Sequence, residues 1–192
     1  MILSKNSFYT TYKDFRDIII VMRKENIILI GFMGVGKGTI ARALVKSSDY
    51  FAVDTDDLIE SMENRKVKAI FEQSGEPYFR ELEKRCAVWC ENNLSGTLIS
   101  TGGGFYKQPN IKKIGKIIYL QSTFDKILEG LHNAPNSKKK LKKRPLLNNL
   151  DEAKKIYAQR VKEYEEVADI VINVEDWDEK KAVKNILKAL NK

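Results

Sequence analysis

The sequence predicts an α/β domain on a parallel β-sheet, with a phosphate-binding loop after the first strand. The apolar run Ile27-Ile28-Leu29-Ile30 leads into Gly31-Phe32-Met33-Gly34-Val35-Gly36-Lys37-Gly38-Thr39, and a helical pattern from Thr39 to Val45 follows at once. Short apolar runs then alternate with helical patterns along the chain, as in βα units. Carboxylates and glycines stand directly after two of those runs, Asp54-Thr55-Asp56-Asp57 and Gly102-Gly103-Gly104. In an open parallel sheet such positions face the crevice that takes ligands.

The first strand is expected over about residues 26–31 and the first helix over 38–48. Glycines let the connecting turn point its N–H groups inward, and the helix N-terminus adds roughly half a positive charge there. Lys37 can reach the β- and γ-phosphates of a nucleotide as a point charge. Gly34, Val35, Gly36, Lys37, Gly38 and Thr39 are therefore the expected nucleotide-phosphate site. The usual loop has Ser or Thr directly after the lysine to hold Mg²⁺. Here that position is Gly38, and the hydroxyl comes one residue later. The Gly-Lys-Gly-Thr order resembles the loop of adenylate kinases. That resemblance implies that Thr39 contacts phosphate while Mg²⁺ is held through waters and a carboxylate elsewhere.

The second strand is expected over residues 50–53, with Thr55 or Asp56 as cap of a helix over 58–63. Three carboxylates in a row exceed what capping needs. Helical patterning runs over 67–73, stops at Ser74-Gly75 and restarts at Glu76-Pro77, where proline suits a first turn, to continue to about residue 93. Phe79, Leu82, Cys86, Val88 and Trp89 are its expected apolar surface, and Arg80 and Glu83 lie on neighbouring turns. A third strand over 96–101 ends in the triple glycine, whose entropic cost makes sense where backbone lies against a ligand. A fourth strand (116–120) and a helix (123–131) follow. Residues 132–149 then form a long, basic, helix-poor connection ending in Arg144-Pro145-Leu146-Leu147, and a loop of that length suggests a lid. A long helix (151–168), a fifth strand (169–174) and a helix (178–190) close the chain. His132, the single histidine, is expected on the surface.

A chain of 192 residues fits one domain with a substantial core, here residues 22–192 with its lid at about 132–149. Residues 1–21 match nothing that follows, and Met22 stands just before the first strand, so they are expected to be a peripheral extension. No apolar run approaches the roughly 20 residues that span a bilayer, and Ile18–Met22 is too short for a signal peptide. Cys86 and Cys90, four apart in one helix, suit neither an easy disulfide nor a zinc site without histidines. The expectation is a cytoplasmic chain with no membrane or nucleic-acid partner. Its net charge of +8, concentrated partly in Lys138–Arg144, suits a polyphosphate substrate, and no nucleic-acid motif accompanies it.

Taken in order, six motifs resemble shikimate kinases: the phosphate loop, Asp54-x-Asp56, Gly75-Glu76…Phe79-Arg80-x-x-Glu83, Gly102-Gly103-Gly104, Arg144-Pro145-Leu146-Leu147 and Arg160-x-x-x-Tyr164. The resemblance covers roughly residues 24–190. It implies a three-layer P-loop kinase fold, with a five-stranded parallel sheet in order 2-3-1-4-5, flanking helices and a mobile lid. It also implies a monomer that transfers phosphate from ATP, with Mg²⁺, to the 3-hydroxyl of shikimate in aromatic amino acid biosynthesis. The residue types suit that chemistry. Arg80 and Arg160 would grip the substrate carboxylate. Asp56 would orient or deprotonate the attacking hydroxyl. Gly102, Gly103 and Gly104 would bring backbone donors to the ring. Glu83 would steady the substrate arginine, and Asp54 would hold the metal directly or through water. Lys37 and lid-borne Arg144 would supply positive charge. The family's lid carries an arginine that stacks on adenine, whereas here Asn133–Ser137 is followed by lysines. Lysine stacks less well, so weaker adenine selectivity is expected. Competing readings are another small-molecule kinase of the same fold and a catalytically silent binding protein, the latter favoured by Gly38 and the altered lid.

Overall fold

A computed structural model of the chain describes residues 25–142 and 144–190, so the expected extension, residues 1–21, lies outside the described residues. Five parallel strands form one sheet in the order β2-β3-β1-β4-β5: β1 (Ile27–Ile30), β2 (Phe51–Asp54), β3 (Thr97–Ser100), β4 (Lys116–Gln121) and β5 (Ile170–Asn173). This is the order that the motif resemblance implies. β1 is central, with Ile28 in register between Ile99 and Ile117, and all four of its residues are buried. Strands covered on both faces read as continuous apolar runs, which is why β1 was legible as one.

The helices are α1 (Lys37–Val45), α2 (Thr55–Glu63), α3 (Val67–Asn93), α4 (Ile111–Ile114), α5 (Phe124–Asn133), α6 (Ser137–Lys142), α7 (Leu150–Val167) and α8 (Glu179–Leu190). Right-handed crossovers put α1 on one face of the sheet, where α8 packs against it, and α2 to α7 on the other. The two predicted helices at 67–73 and 76–93 are one assigned helix broken by Gly75, whose φ of 80° and ψ of 169° are not helical. The break falls where Ser74-Gly75 predicted it.

Several expectations are corrected. The second helix begins at Thr55, not Leu58, because Asp54 at the end of β2 is its cap and accepts the Asp56 N–H at 3.0 Å. Asp56 and Asp57 thus occupy its first turn, where carboxylates favour the helix dipole. The 132–149 connection is not helix-poor: α5 runs on to Asn133, α6 follows, and a 3₁₀ turn spans Pro145–Asn148. Lysine is a good helix former, so a basic run is no argument against helix. On α3, Phe79, Leu82 and Cys86 are buried but Val88 and Trp89 are exposed. The inward stripe continues through Glu83, Ala87 and Cys90 at helical spacing, which leaves residues 88 and 89 on another face. His132 is exposed, and Cys86 and Cys90 are buried free thiols.

Two anchors hold the two ends of the sheet. Phe32, in the loop after β1, is buried edge-on against Tyr157 of α7, with ring centroids 5.4 Å apart, and Phe124 of α5 completes the cluster. At the opposite end the buried Asn26 amide donates to Leu94 O (3.0 Å) and Ile114 O (2.9 Å), while its oxygen accepts the Thr97 N–H at 3.0 Å. One side chain thereby satisfies backbone groups of three separate segments. Losing it strands those groups away from water, at about 1–3 kcal/mol for each unsatisfied one. Asn26→Ala is expected to lose about 2–4 kcal/mol of stability and to lower Tm by about 5–10 °C in calorimetry. A shift below about 2 °C would show that Asn26 is not a principal tie.

Candidate active site

The phosphate loop closes over a buried lysine. Gly34 and Gly36 hold φ of 90° and 97°, the left-handed region that only glycine enters freely, and Gly36 caps α1. This turns the loop so that Lys37 opens the helix with its side chain folded back. Its Nζ donates to Gly31 O at 2.7 Å and Phe32 O at 3.2 Å. Gly38 and Thr39 continue the first turn, half-buried at the cleft wall beside Val35.

Opposite the loop, charged groups crowd onto the triple glycine. A methyl group on Gly102 would sit 2.6 Å from Asp56 Oδ1, one on Gly103 3.2 Å from Arg160 Nη1, and one on Gly104 2.6 Å from Arg80 Nη1. The glycines matter here for space, because none of the three has a positive φ. Arg160 Nη1 donates to Gly103 O at 3.1 Å, and the Tyr164 hydroxyl donates to the same oxygen at 2.6 Å. Arg80 donates to Glu83 at 2.6 Å, and its Nη2 and Nε donate to Glu76 at 2.6 and 2.9 Å. Glu83 is 1% exposed, so its pair with Arg80 is not a solvated surface contact. A carboxylate that deep in the protein fixes the guanidinium plane rather than merely neutralising it.

Arg144, half-buried just before the 3₁₀ turn Pro145–Asn148, lies near enough to Lys37 to lower its proton affinity, and so does Arg160. The expected binding and catalytic residues, Gly34–Thr39, Asp54, Asp56, Arg80, Gly102–Gly104, Arg144 and Arg160, all line one cleft of about 1980 Å³. Small-molecule sites run to about 1,000 Å³, so the cleft has room for two ligands side by side.

Sequence reasoning missed Ser100. Its Oγ donates to Asp54 Oδ2 at 2.7 Å, and it stands 3.9 Å from where a Cβ on Gly38 would lie. The pairing follows from strand register, since Asp54 and Ser100 are direct partners across β2 and β3. No single stretch of sequence displays that register. Among the described residues no group of three or more His, Cys, Asp or Glu side chains could hold a metal. Mg²⁺ needs less from the protein: one or two carboxylates, waters and the substrate's own phosphates. Asp54, with the Ser100 and Thr39 hydroxyls at the same end of the cleft, is a donor set of the hard-oxygen kind that this ion takes.

Two groups have displaced proton affinities. Burial pushes the Asp56 carboxyl up to about 7, with Asp54 beside it adding to the rise and Lys37 opposing it. Asp56 Oδ1 is sealed from solvent without a hydrogen-bond partner among the described residues. Burial lowers Lys37 to about 8, against the pull of Asp56 and Asp54. A carboxyl whose affinity is raised on folding favours the folded state in its protonated form. That advantage is complete at low pH and is lost as pH rises toward 7. Asp56→Asn should therefore gain stability relative to the parent between pH 5 and pH 8, by about 1–2 kcal/mol at the upper end. Denaturant melts at both pH values measure this. Carbon NMR of labelled aspartate should show one carboxyl titrating near 7 that the variant lacks. A stability gap that does not change with pH would mean that Asp56 ionises like an exposed carboxyl.

With this geometry in view, comparison with known proteins gives a single answer. The family model described as shikimate kinase matches residues 33–191. The chain is 34% identical to the shikimate kinase of Helicobacter hepaticus over 149 residues, covering 78% of this chain and 86% of the relative. It is 36% identical to that of Sulfurihydrogenibium over 168 residues, 85% of this chain and 96% of the other. Among solved structures it resembles shikimate kinase from Acinetobacter baumannii in complex with shikimate, with a TM-score of 0.76 and 26% identity, covering 87% and 93% of the two chains. It also resembles the Aquifex aeolicus shikimate kinase, with a TM-score of 0.71 and 33% identity over 86% and 96%. By family match, by identity over most of its length and by fold, the chain belongs to the shikimate kinase family and is a phosphotransferase with an alcohol group as acceptor.

Proposed function

We propose that Lys37, Asp56 and Arg144 carry the chemistry of this cleft, while Arg80, Arg160 and Gly102–Gly104 hold shikimate. The observation that carries the reading is the convergence of one carboxylate and two guanidiniums on a backbone without Cβ atoms, directly facing the phosphate loop. Shikimate offers one carboxylate and three hydroxyls to that arrangement. Arg80, held by Glu83, and Arg160, held on Gly103 O, would each present N–H groups to the carboxylate. This sets the ring so that its hydroxyls lie toward Asp56.

The loop N–H groups and Lys37 would bind the ATP phosphates. Lys37 would leave the carbonyls of Gly31 and Phe32 for the phosphate oxygens, which replace two neutral acceptors by charged ones. The 3-hydroxyl oxygen attacks the γ-phosphorus, the bond to the β,γ-bridging oxygen breaks, and ADP carries away that electron pair. Asp56, with an affinity near neutrality, is suited to accept the hydroxyl proton as the new bond forms. Lys37 and Arg144 would neutralise charge on the transferring group in a cleft closed to water. The chemistry that Mg²⁺ would supply here is neutralisation of the phosphate charge. Asp54 would hold it directly or through water, with Ser100 fixing the carboxylate and standing in part for the hydroxyl that Gly38 lacks. All these residues come from one chain, which supports a monomeric enzyme, and its substrates suit the cytoplasm.

ADP release from ATP and Mg²⁺ should depend on shikimate, equally for the full chain and for one starting at Met22. Asp56→Asn should reduce kcat by at least about 100-fold with ATP affinity within about twofold of the parent. Retention of a tenth of the parental rate would leave Asp56 as an orienting group only. Gly104→Ala would push the Arg80 guanidinium from its place, and should raise the KM for shikimate at least about tenfold with little change for ATP.

A further inference from the structure

Past the triple glycine the chain tightens into a 3₁₀ turn, Phe105–Lys107, capped by Gly104. Tyr106 in that turn is buried, its ring edge-on to Tyr164 with 4.6 Å between centroids. Packing alone asks only for the ring. The hydroxyl does something further, because it donates to Glu163 Oε2 on α7. Lys107 Nζ pairs with the same oxygen at 3.5 Å, and Gln159 Nε2 donates to Oε1 at 3.1 Å. Both oxygens of Glu163 are thereby taken. Of the three holders Tyr106 is the buried one, whereas Lys107 and Gln159 are exposed. The Tyr106 hydroxyl, first among these contacts, holds the Glu163 carboxyl below the usual carboxylate range, so Glu163 is charged at neutral pH.

That charge stands three residues after Arg160 on the same helix. Side chains three apart lie on neighbouring turns, close enough for a guanidinium and a carboxylate to pair. Among the described residues, however, the ion pair of Glu163 is with Lys107 and not with Arg160. Arg160 Nη1 turns instead to Gly103 O, the oxygen that it shares with the Tyr164 hydroxyl. A carboxylate left loose at residue 163 would compete with a substrate carboxylate for the same N–H groups. We infer that Tyr106 is a positioning residue: by detaining Glu163 it keeps the Arg160 guanidinium open to the carboxylate of the acceptor. This rests on the reading of Arg160 as a ligand of the shikimate carboxylate. The turn that follows Gly102–Gly104 thus guards the arginine that the glycines make room for.

Steady-state kinetics on the full chain, with ATP and shikimate varied in turn, test this. Tyr106→Phe keeps the ring and loses the hydroxyl, and should raise the KM for shikimate about 3- to 10-fold, the net worth of one hydrogen bond. Its kcat and its KM for ATP should stay within about twofold of the parent. Glu163→Gln removes the competing charge and should leave all three values at the parental level. The double variant Tyr106→Phe/Glu163→Gln should regain the parental KM for shikimate, a rescue that a packing role for the hydroxyl does not produce. Glu163→Asp keeps the charge on a side chain too short to reach Tyr106, so it should behave like Tyr106→Phe. If Tyr106→Phe does not fold, the contrast between Glu163→Asp and Glu163→Gln decides. A parental KM for shikimate in Tyr106→Phe, an equal loss for ATP, or a raised KM that persists in the double variant overturns the inference. Arg160→Lys with a parental KM for shikimate would instead overturn the substrate-ligand reading beneath it, and the inference with it.

Discussion

Asp56, Arg160 and Arg80 each pack against one glycine of the run 102–104; a single added methyl group would collide with Asp56 or Arg80 and would crowd Arg160. The position of every charged group on the acceptor side follows from that contact. Arg160 and Tyr164 come from α7, Arg80 and Glu83 from α3, and Asp56 from the first turn of α2. Three helices thus meet on one short backbone segment at the end of β3. Because α2 is capped by Asp54 and β2 is locked in register with β3, the Asp56 main chain inherits the rigidity of the sheet. Sites built on strand ends and first helical turns keep their geometry better than sites built on loops.

The same crowding places an acid and a base where neither is at ease. Lys37 is buried against carbonyl oxygens, and the Asp56 Oδ1 has no hydrogen-bond partner among the described residues. Each loses some hold on its charge, and each offsets part of the other's burden. Such a pair weakens the folded state, yet it puts Asp56 close to the proton affinity that transfer at neutral pH demands. Stability given up at a site is recovered elsewhere. Here the all-buried β1, the Phe32–Tyr157–Phe124 cluster and the Asn26 tie lie outside the chemistry.

Most of the sheet and much of the cleft were legible because their signals are local. β1 is buried on both faces, so it reads as an unbroken apolar run, and a strand, turn and helix with one lysine define a phosphate loop without tertiary information. What stayed hidden depends on register or on packing between distant segments. Ser100 faces Asp54 only because residues 54 and 100 pair across two strands. Asn26 reads as an ordinary strand flank until Leu94, Thr97 and Ile114 arrive around it. The basic segment after α5 reads as loop because Leu141 is the one apolar residue of Ser137–Lys142 and marks no helical stripe, whereas lysine itself favours helix. Val88 and Trp89 are apolar but out of phase with the inward stripe of Phe79, Leu82, Cys86 and Cys90, so their composition alone reads as core.

The Trp177 ring, in the turn between β5 and α8, lies directly over Gly130 of α5, and that contact also constrains how this sequence can drift. The ring can lie over α5 only while residue 130 has no side chain, because a Cβ there would come within 2.2 Å of it, and without the ring Gly130 offers no side chain to cover the space. Either position changed alone produces a collision or a void. In a set of relatives the two sites should therefore change as a pair, a small residue with a large ring or a side chain with a small turn residue. The lineage that carries this pair has two separate mutations to cross before it can return to the other arrangement.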